Sequence, residues 1–298
     1  MAPENLFAGA YLDRRAEARL RSEWLAEARA DTDTLYIVMR HSAALTRPAT
    51  TGTGTRVAFL SGTDPRVVRT VDADRMVLLG WYGERRCVLV NLEPATAIEH
   101  GDESFAELRP LACDLPAAEA GLLAYARALH LWHAHHRYCN RCGTATHAVR
   151  AGHAQQCPQC GHQSFPRINP AIIVLVHDGD RALLGRQASW APNRYSTIAG
   201  FVEPGESPED AVRREVSEET GIRVTAIHYH SSQPWPFPAS LMLGFTAQGE
   251  PANPTLHDGE LEDARWYSRA ELRAGAVLLP PPEAISRRLI EHWLDQAN

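Results

Sequence analysis

The chain contains no lysine; all 30 of its basic residues are arginine. GC-rich coding accounts for that bias, so it excludes no function. Positive charge is in deficit as well. The formal charge of −6 over 298 residues argues against a general binder of nucleic acid or of anionic membranes. Long apolar runs are missing too. "AIIVLV", Ala171–Val176, spans six residues, where a membrane helix needs about 20. The opening "MAPENLFAGAYLDRR" lacks the basic start and apolar stretch of a secretory signal. These absences predict a cytoplasmic protein with no membrane partner. Internal repeats and low-complexity tracts are also absent.

What is present fits a globular chain of about two domains, by length and by its 44% hydrophobic content. Residues 1–115 read as a β-rich amino-terminal domain. Strand-like pieces such as "TLYIVM" and "RCVLVNL" alternate with turn-rich segments, and a helix is predicted near Arg14 to Ala30. This region is expected to be mainly antiparallel and offers no catalytic motif. Residues 116–168 hold a linker helix, in which Leu122, Leu123, Ala126, Leu129 and Trp132 recur at helical spacing. A cysteine cluster follows. Residues 169–298 mix strands with helices, which predicts an α/β sandwich.

Four of the six cysteines form two pairs, "CNRC" at Cys139 and Cys142 and "CPQC" at Cys157 and Cys160. Each tight turn brings two thiolates together, and two turns complete a closed tetrahedral S4 site for structural Zn²⁺. His136 and His162 lie nearby as competing ligands, but the four sulfurs already fill the shell. Cys87 and Cys113 stand alone and are expected to be buried, inert thiols.

The stretch "GFVEPGESPEDAVRREVSEETGI" carries the strongest chemical signal. Ser207 as N-cap, Pro208 at the first turn, Asp210 in the capping-box position and Gly221 as a stop predict a helix over Pro208–Thr220. On it Glu215, Glu218 and Glu219 share one face, with Val212 and Val216 on the adjoining stripe. Arg214 is placed to relieve Glu218 and leave the others. Such a face is either solvated or filled by a hard dication such as Mg²⁺ or Mn²⁺.

Gly200, Glu206 and the run Arg214 to Ile222 match the Nudix box, G-x5-E-x7-R-E-U-x-E-E-x-G-U, at every defined position. The chain therefore resembles the Nudix hydrolases. The resemblance implies an α/β/α sandwich with a mixed sheet, and metal-dependent hydrolysis of a nucleoside diphosphate linked to another moiety. By the same resemblance Glu215, Glu218 and Glu219 are catalytic and metal-binding. The backbone carbonyl of Ala199 and the distal acid Glu260 join them as ligands. A surface turn acid is the alternative for Glu260. Arg214 and Glu206 are expected to brace the loop-helix-loop.

"SQPWPFPAS", Ser232–Ser240, resembles the motif that marks the NADH pyrophosphatase branch of that family. The zinc ribbon and the "FPRINP" link, Phe165–Pro170, fit the same plan. Three prolines exclude a central strand or helix and stiffen the segment before a ligand arrives. Trp235 and Phe237 offer stacking area, though an extended segment turns at least one of them toward the core. The resemblance implies substrate contacts from Gln233 through Pro234, Trp235, Pro236, Phe237, Pro238 and Ala239 to Ser240. Phe165, Phe201 and Ser286 complete the set, with helix packing as the alternative for Ser286. The implied reaction is hydrolysis of NADH or NAD⁺ to the nicotinamide mononucleotide and AMP, carried out by a homodimer. Decapping of NAD-capped RNA 5′ ends, hydrolysis of ADP-ribose or another dinucleotide, and a ribbon module on a silent Nudix fold are the alternatives.

Overall fold

A computed structural model describes residues 5–9, 11–68, 72–256 and 259–296. Part of the opening segment and of "HDGE" lies outside the described residues. The chain forms two units. One comprises Gly9–Arg167 with Pro236–Ala239, the other Met1–Ala8, Ile168–Trp235 and Ser240–Asn298.

The first unit contains strands β1 (Leu35–Arg40), β2 (Ala43–Pro48), β3 (Thr55–Val57), β4 (Leu60–Ser61), β5 (Met76–Tyr82), β6 (Arg85–Asn91) and β7 (Ser104–Glu107). Its helices are α1 (Trp24–Ala30), α2 (Pro65–Val68), α3 (Leu108–Leu111) and α4 (Ala117–His135). The helix predicted near Arg14 to Ala30 is broken into a 3₁₀ turn, Ala16–Leu20, and α1. The sheet runs β3-β2-β1-β6-β5, with β4 pairing β1 and β7 pairing β2. The expectation of antiparallel pairing fails at the centre, where β1 and β6 are parallel. Their continuous apolar runs have that cause: both faces are buried. Tyr36, Val38, Val88 and Val90 join one core with Leu45, Met76 and Leu78. Helix α4 packs on β1, β2 and β6, with Leu122, Leu123, Ala126, Leu129 and Trp132 buried. Buried Glu119 ties its first turn to β3, accepting from Arg56 Nε and from the Val57 amide, each at 2.7 Å. Three short strands follow, β8 (His147–Val149), β9 (Ala154–Gln156) and β10 (Gln163–Ser164), paired antiparallel.

The second unit is an α/β/α sandwich. Its strands are β11 (Asn169–His177), β12 (Arg181–Arg186), β13 (Ile198–Phe201), β14 (Val224–Trp235), β15 (Ser240–Gly249) and β16 (Asp263–Ser268). The order is β14-β15-β11-β12-β16, mixed in direction, because β11 and β15 are parallel. Helices α5 (Pro208–Thr220), α6 (Arg269–Arg273) and α7 (Ile285–Asp295) complete it. Strand period 2 sorts β11 between two cores. Ile172, Val174 and Val176 meet Ala211, Val212 and Val216 of α5. Ile173 and Leu175 meet Ile285, Leu289, Ile290 and Trp293 of α7. One edge of β11 is forked. Val176 and His177 pair with β12, while Ala171–Val174 pair with β13. That fork delivers the start of the acidic motif beside α5.

Residues 5–8, expected with the amino-terminal domain, pack instead with this second unit. Asn5 Nδ2 donates to Ser231 Oγ and to the Ser232 carbonyl, and its Oδ1 accepts from Arg288 Nη1 at 3.0 Å. Among the described residues no helix is long and apolar enough to cross a membrane. Cys87 is buried, but Cys113 is exposed, against the expectation for that thiol.

Candidate active site and metal centre

The cysteine cluster is built from two equivalent knuckles. Gly143 N donates to Cys139 O and Gly161 N to Cys157 O, and both glycines take a left-handed φ of about 70° (73° and 70°). An ordinary side chain is disfavoured there, which explains a glycine directly after each CxxC. Cys139 N bonds Thr144 O, and Cys157 N bonds His162 O, closing each turn. The four Sγ atoms lie within 4.8 Å of one another, with pairs at 3.4, 3.6 and 3.7 Å. These are too long for a disulfide. A tetrahedron with Zn–S bonds of about 2.3 Å has edges of about 3.8 Å, so the residues fit Zn²⁺. Hydrogen bonds with the Thr144 side chain and backbone pull the Cys142 thiol down to about 6, while Cys160, against a backbone hydrogen bond at His162, is pushed up to about 11 by burial and the neighbouring thiols.

Helix α5 begins and ends where its residues dictate. Ser207 Oγ accepts from Asp210 N at 3.2 Å, and Gly221 closes the helix with a left-handed φ of 68°. The Asp210 carboxylate does not complete a capping box; it accepts from the Ser207 hydroxyl at 2.6 Å. Arg214 does more than the predicted relief of Glu218. Its Nε and Nη2 donate to the two oxygens of Glu206 at 2.8 Å each, and Nη2 also donates to Phe201 O at 2.9 Å. Its Nη1 reaches Glu215 at 2.9 Å and Glu218 at 3.1 Å. The fork at Glu206 is bidentate and holds that carboxyl down to about 2. One guanidinium thus pins the loop, β13 and the helix together.

Glu215 presses on the backbone of Gly200. A Cβ at Gly200 would fall inside the Glu215 carboxylate, so the first glycine of the motif makes room for that acid. Burial, and then the negative charges of Glu218 and Glu260, raise the Glu215 carboxyl above its ordinary range against the pull of Arg214. Glu219 is buried to 4% exposure, Glu218 is half-exposed, and Ala199 is exposed on β13. Among the described residues only the four cysteines form a group of three or more whose ligand atoms all lie within 4.8 Å of one another. The helix acids form no such group among the described residues, and Arg214 balances Glu215 and Glu218 together with Glu206. As a donor set they fit a hard dication: oxygen ligands whose like charges raise one another's cost.

The proline-aromatic segment is a hairpin, not one extended rod. Gln233, Pro234 and Trp235 end β14, an edge strand, where proline is tolerated. Pro236–Ala239 make the turn, with a cis bond at Phe237–Pro238, and Ser240 pairs back with Trp235. Gln233 is buried and spent on backbone. Its Nε2 donates to Leu6 O at 3.1 Å and Glu283 O at 2.6 Å, and its Oε1 accepts from Ile285 N at 2.9 Å. Both amide donors are used, so the side chain joins three segments instead of offering itself to a ring or ribose edge. Trp235 meets Phe7 edge-on at 6.2 Å. Phe237 lies under Arg127, 4.7 Å from its guanidinium carbon, and Arg127 also donates to Pro236 O. Ser286 is buried in α7. Phe201 and Phe165 are the open rings, 60% and 52% exposed. Asn5 and Leu6, which hold the base of the hairpin, escaped the sequence reading because no local pattern marks a contact some 227 residues away.

Three family models match the chain. One described as NUDIX domain covers residues 167–294, and an NADH pyrophosphatase zinc ribbon domain covers 134–165. An NADH pyrophosphatase-like rudimentary NUDIX domain covers 33–132. The chain is 31% identical to the NAD-capped RNA hydrolase NUDT12 of Homo sapiens, over 98% of this chain and 73% of that protein. It is 42% identical to the NAD-capped RNA hydrolase NudC of Pseudomonas aeruginosa, over 72% of this chain and 74% of that one. To NudC of Mycobacterium bovis it is 44% identical, over 63% and 64%.

Proposed function

The chain belongs to the Nudix hydrolases, in the NADH pyrophosphatase branch that carries a zinc ribbon, and from that premise we propose that it hydrolyses the pyrophosphate bond of NADH and NAD⁺. The products are the nicotinamide mononucleotide and AMP. The same bond in the 5′ cap of NAD-capped RNA is a second substrate, in line with the names of the relatives. The observation that carries this reading is Glu215, Glu218 and Glu219 on one helix beside the Gly200 backbone.

Glu215, Glu219 and the Ala199 carbonyl would hold Mg²⁺ or Mn²⁺, with Glu218 and Glu260 beside them. A bound dication supplies neutralisation of the phosphate charge and a lower pKa for the attacking water. Glu218, the most open of the three helix acids, takes the proton of that water. Arg214, by holding Glu206 and Phe201 O, keeps β13 and α5 in register for the reaction. Phe201 offers its face to a ring of the substrate, and Trp235 stiffens the hairpin by packing on Phe7. Two paired CxxC turns that keep zinc suit the reducing cytoplasm, where NAD(H) also resides. The resemblance further implies a homodimer.

The test is product analysis with NADH, NAD⁺, ADP-ribose and NAD-capped RNA, side by side with Mg²⁺ and Mn²⁺. NADH or NAD⁺ should yield AMP, and Glu219→Gln should cut that rate by about 10²–10³-fold. Turnover of Glu219→Gln within a few-fold of wild type on every substrate would sink the metal assignment. Silence of the wild type on all four would sink the enzyme reading.

A further inference from the structure

The charge of this chain is unevenly placed. From Ala120 to Arg167 there is no aspartate or glutamate, while five arginines (127, 137, 141, 150 and 167) occur there. The other 25 arginines share the rest of the chain with all 36 acids. The difference persists in space. Outside this stretch many arginines are tied to carboxylates, as Arg56 is to Glu119, Arg66 to Asp64 and Glu103, and Arg214 to Glu206, and within it Arg127 lies 4.0 Å from Glu107. Arg137 and Arg141 are exposed and pair with no carboxylate among the described residues. A zinc ion with four thiolates leaves two negative charges, fewer than the arginines around it.

Residues of this stretch help to line a cavity of about 640 Å³. The ribbon side presents Arg137 and Tyr138, and Tyr138 is 68% exposed. Asp72, Asp74 and Arg75 line it as well, with the buried amides of Asn91 and Gln155. The Asn91 amide is engaged within the unit, 2.7 Å from His130 Nδ1. A cavity lined by arginine, an open aromatic and acceptors matches a nucleotide. Phosphate goes to the arginines, the base stacks on the ring, and exocyclic amines meet the carboxylates.

We propose that this ribbon face binds the single-stranded RNA body of a capped substrate, with one nucleotide seated in the cavity against Tyr138. The proposal rests on the reading that NAD-capped RNA is a substrate. It adds a second contact region, in the ribbon unit, that free NADH does not need. Arginine contacts to phosphate make the binding salt-dependent, with a slope of about 0.7 per contact on single strands.

The experiment compares kcat/KM on NADH and on a short NAD-capped single-stranded RNA for wild type, for Arg137→Ala with Arg141→Ala, and for Tyr138→Ala. Each variant's zinc content is measured alongside. Both variants should lose about ten-fold on capped RNA while keeping zinc and NADH turnover. The arginine variant should also lose about 1.4 from its salt slope. Equal retention, or equal loss, on the two substrates overturns the proposal and leaves the substrate reading standing. Loss of zinc in the arginine variant with Tyr138→Ala unaffected overturns it too, since the arginines would then be neutralising the thiolates. A wild type that cleaves NADH but never capped RNA overturns the substrate reading and this proposal together.

Discussion

Two sheets in this chain each have a parallel strand pair at the centre and a helix laid across one face, yet the two helices carry opposite chemistry. On α4 the covering face is leucine and alanine, and its buried acid, Glu119, is answered by Arg56 and the Val57 amide. On α5 only Ala211, Val212 and Val216 are given to packing, and Glu215, Glu218 and Glu219 fill the adjoining face. The family match to a rudimentary Nudix domain falls on the first sheet and the full domain on the second. Burial on both faces builds the architecture; which polar groups one helix can spare from the core decides whether it has a reactive site. A buried glutamate satisfied by its own chain is structural, whereas acids left facing one another call for a cation.

The largest effect that would separate the units is loss of zinc. Chelation should release one Zn²⁺ and unfold the ribbon, since structural zinc is worth about 10 kcal/mol or more in small sites. A thiol titration should then count the four ribbon cysteines as newly reactive, with buried Cys87 still protected. Persistence of four unreactive thiols after zinc release would mean that the knuckles hold themselves.

Gly200→Ala attacks the second sheet alone. A methyl group there must displace the Glu215 carboxylate, and turnover should fall by about 10²-fold with little change in melting temperature. Glu119→Ala is its mirror. It strands a buried backbone amide and should cost the first unit about 2 kcal/mol by denaturant titration, while turnover per folded molecule is unchanged. If Glu119→Ala damages catalysis as much as Gly200→Ala does, the division between structural and reactive helices is false.

The smallest effect is one of pH. Burial keeps His130 and His153 neutral in the fold, lowering each to about 4 against an ordinary 6.5. The unfolded chain therefore binds more protons between those values. The stability these two groups contribute is complete above pH 6.5 and is lost as pH falls toward 4. Between pH 7 and 6 the first unit should lose about 0.7 kcal/mol per histidine. A denaturation midpoint that stays flat over that interval would show both rings already charged in the fold.

Much of this was legible without coordinates. Helix α5 has the limits its cap, proline and glycine dictate, and the CxxC spacing foretold the sulfur cluster, because both are local: the chain needs only neighbours a few residues away. Other features were hidden for the converse reason. The Gln233 clamp joins Leu6, Glu283 and Ile285, and the reach of Arg214 to Glu206 and the Phe201 carbonyl depends on how β13 enters beside α5. Phe237 reads as a stacking ring for substrate, and only the turn of the hairpin shows that Arg127 lies over it, 4.7 Å from its centre.

By itself, then, the order of residues determined the limits of α5 and which thiols are gathered, since capping, turn formation and side-chain spacing act over a few residues. Only the tertiary structure decided which of those side chains remain open. Glu218 and Phe201 are left to solvent while Gln233 and Ser286 are consumed by packing. A side chain's availability depends on every segment that closes over it, and those segments come from the far ends of the chain.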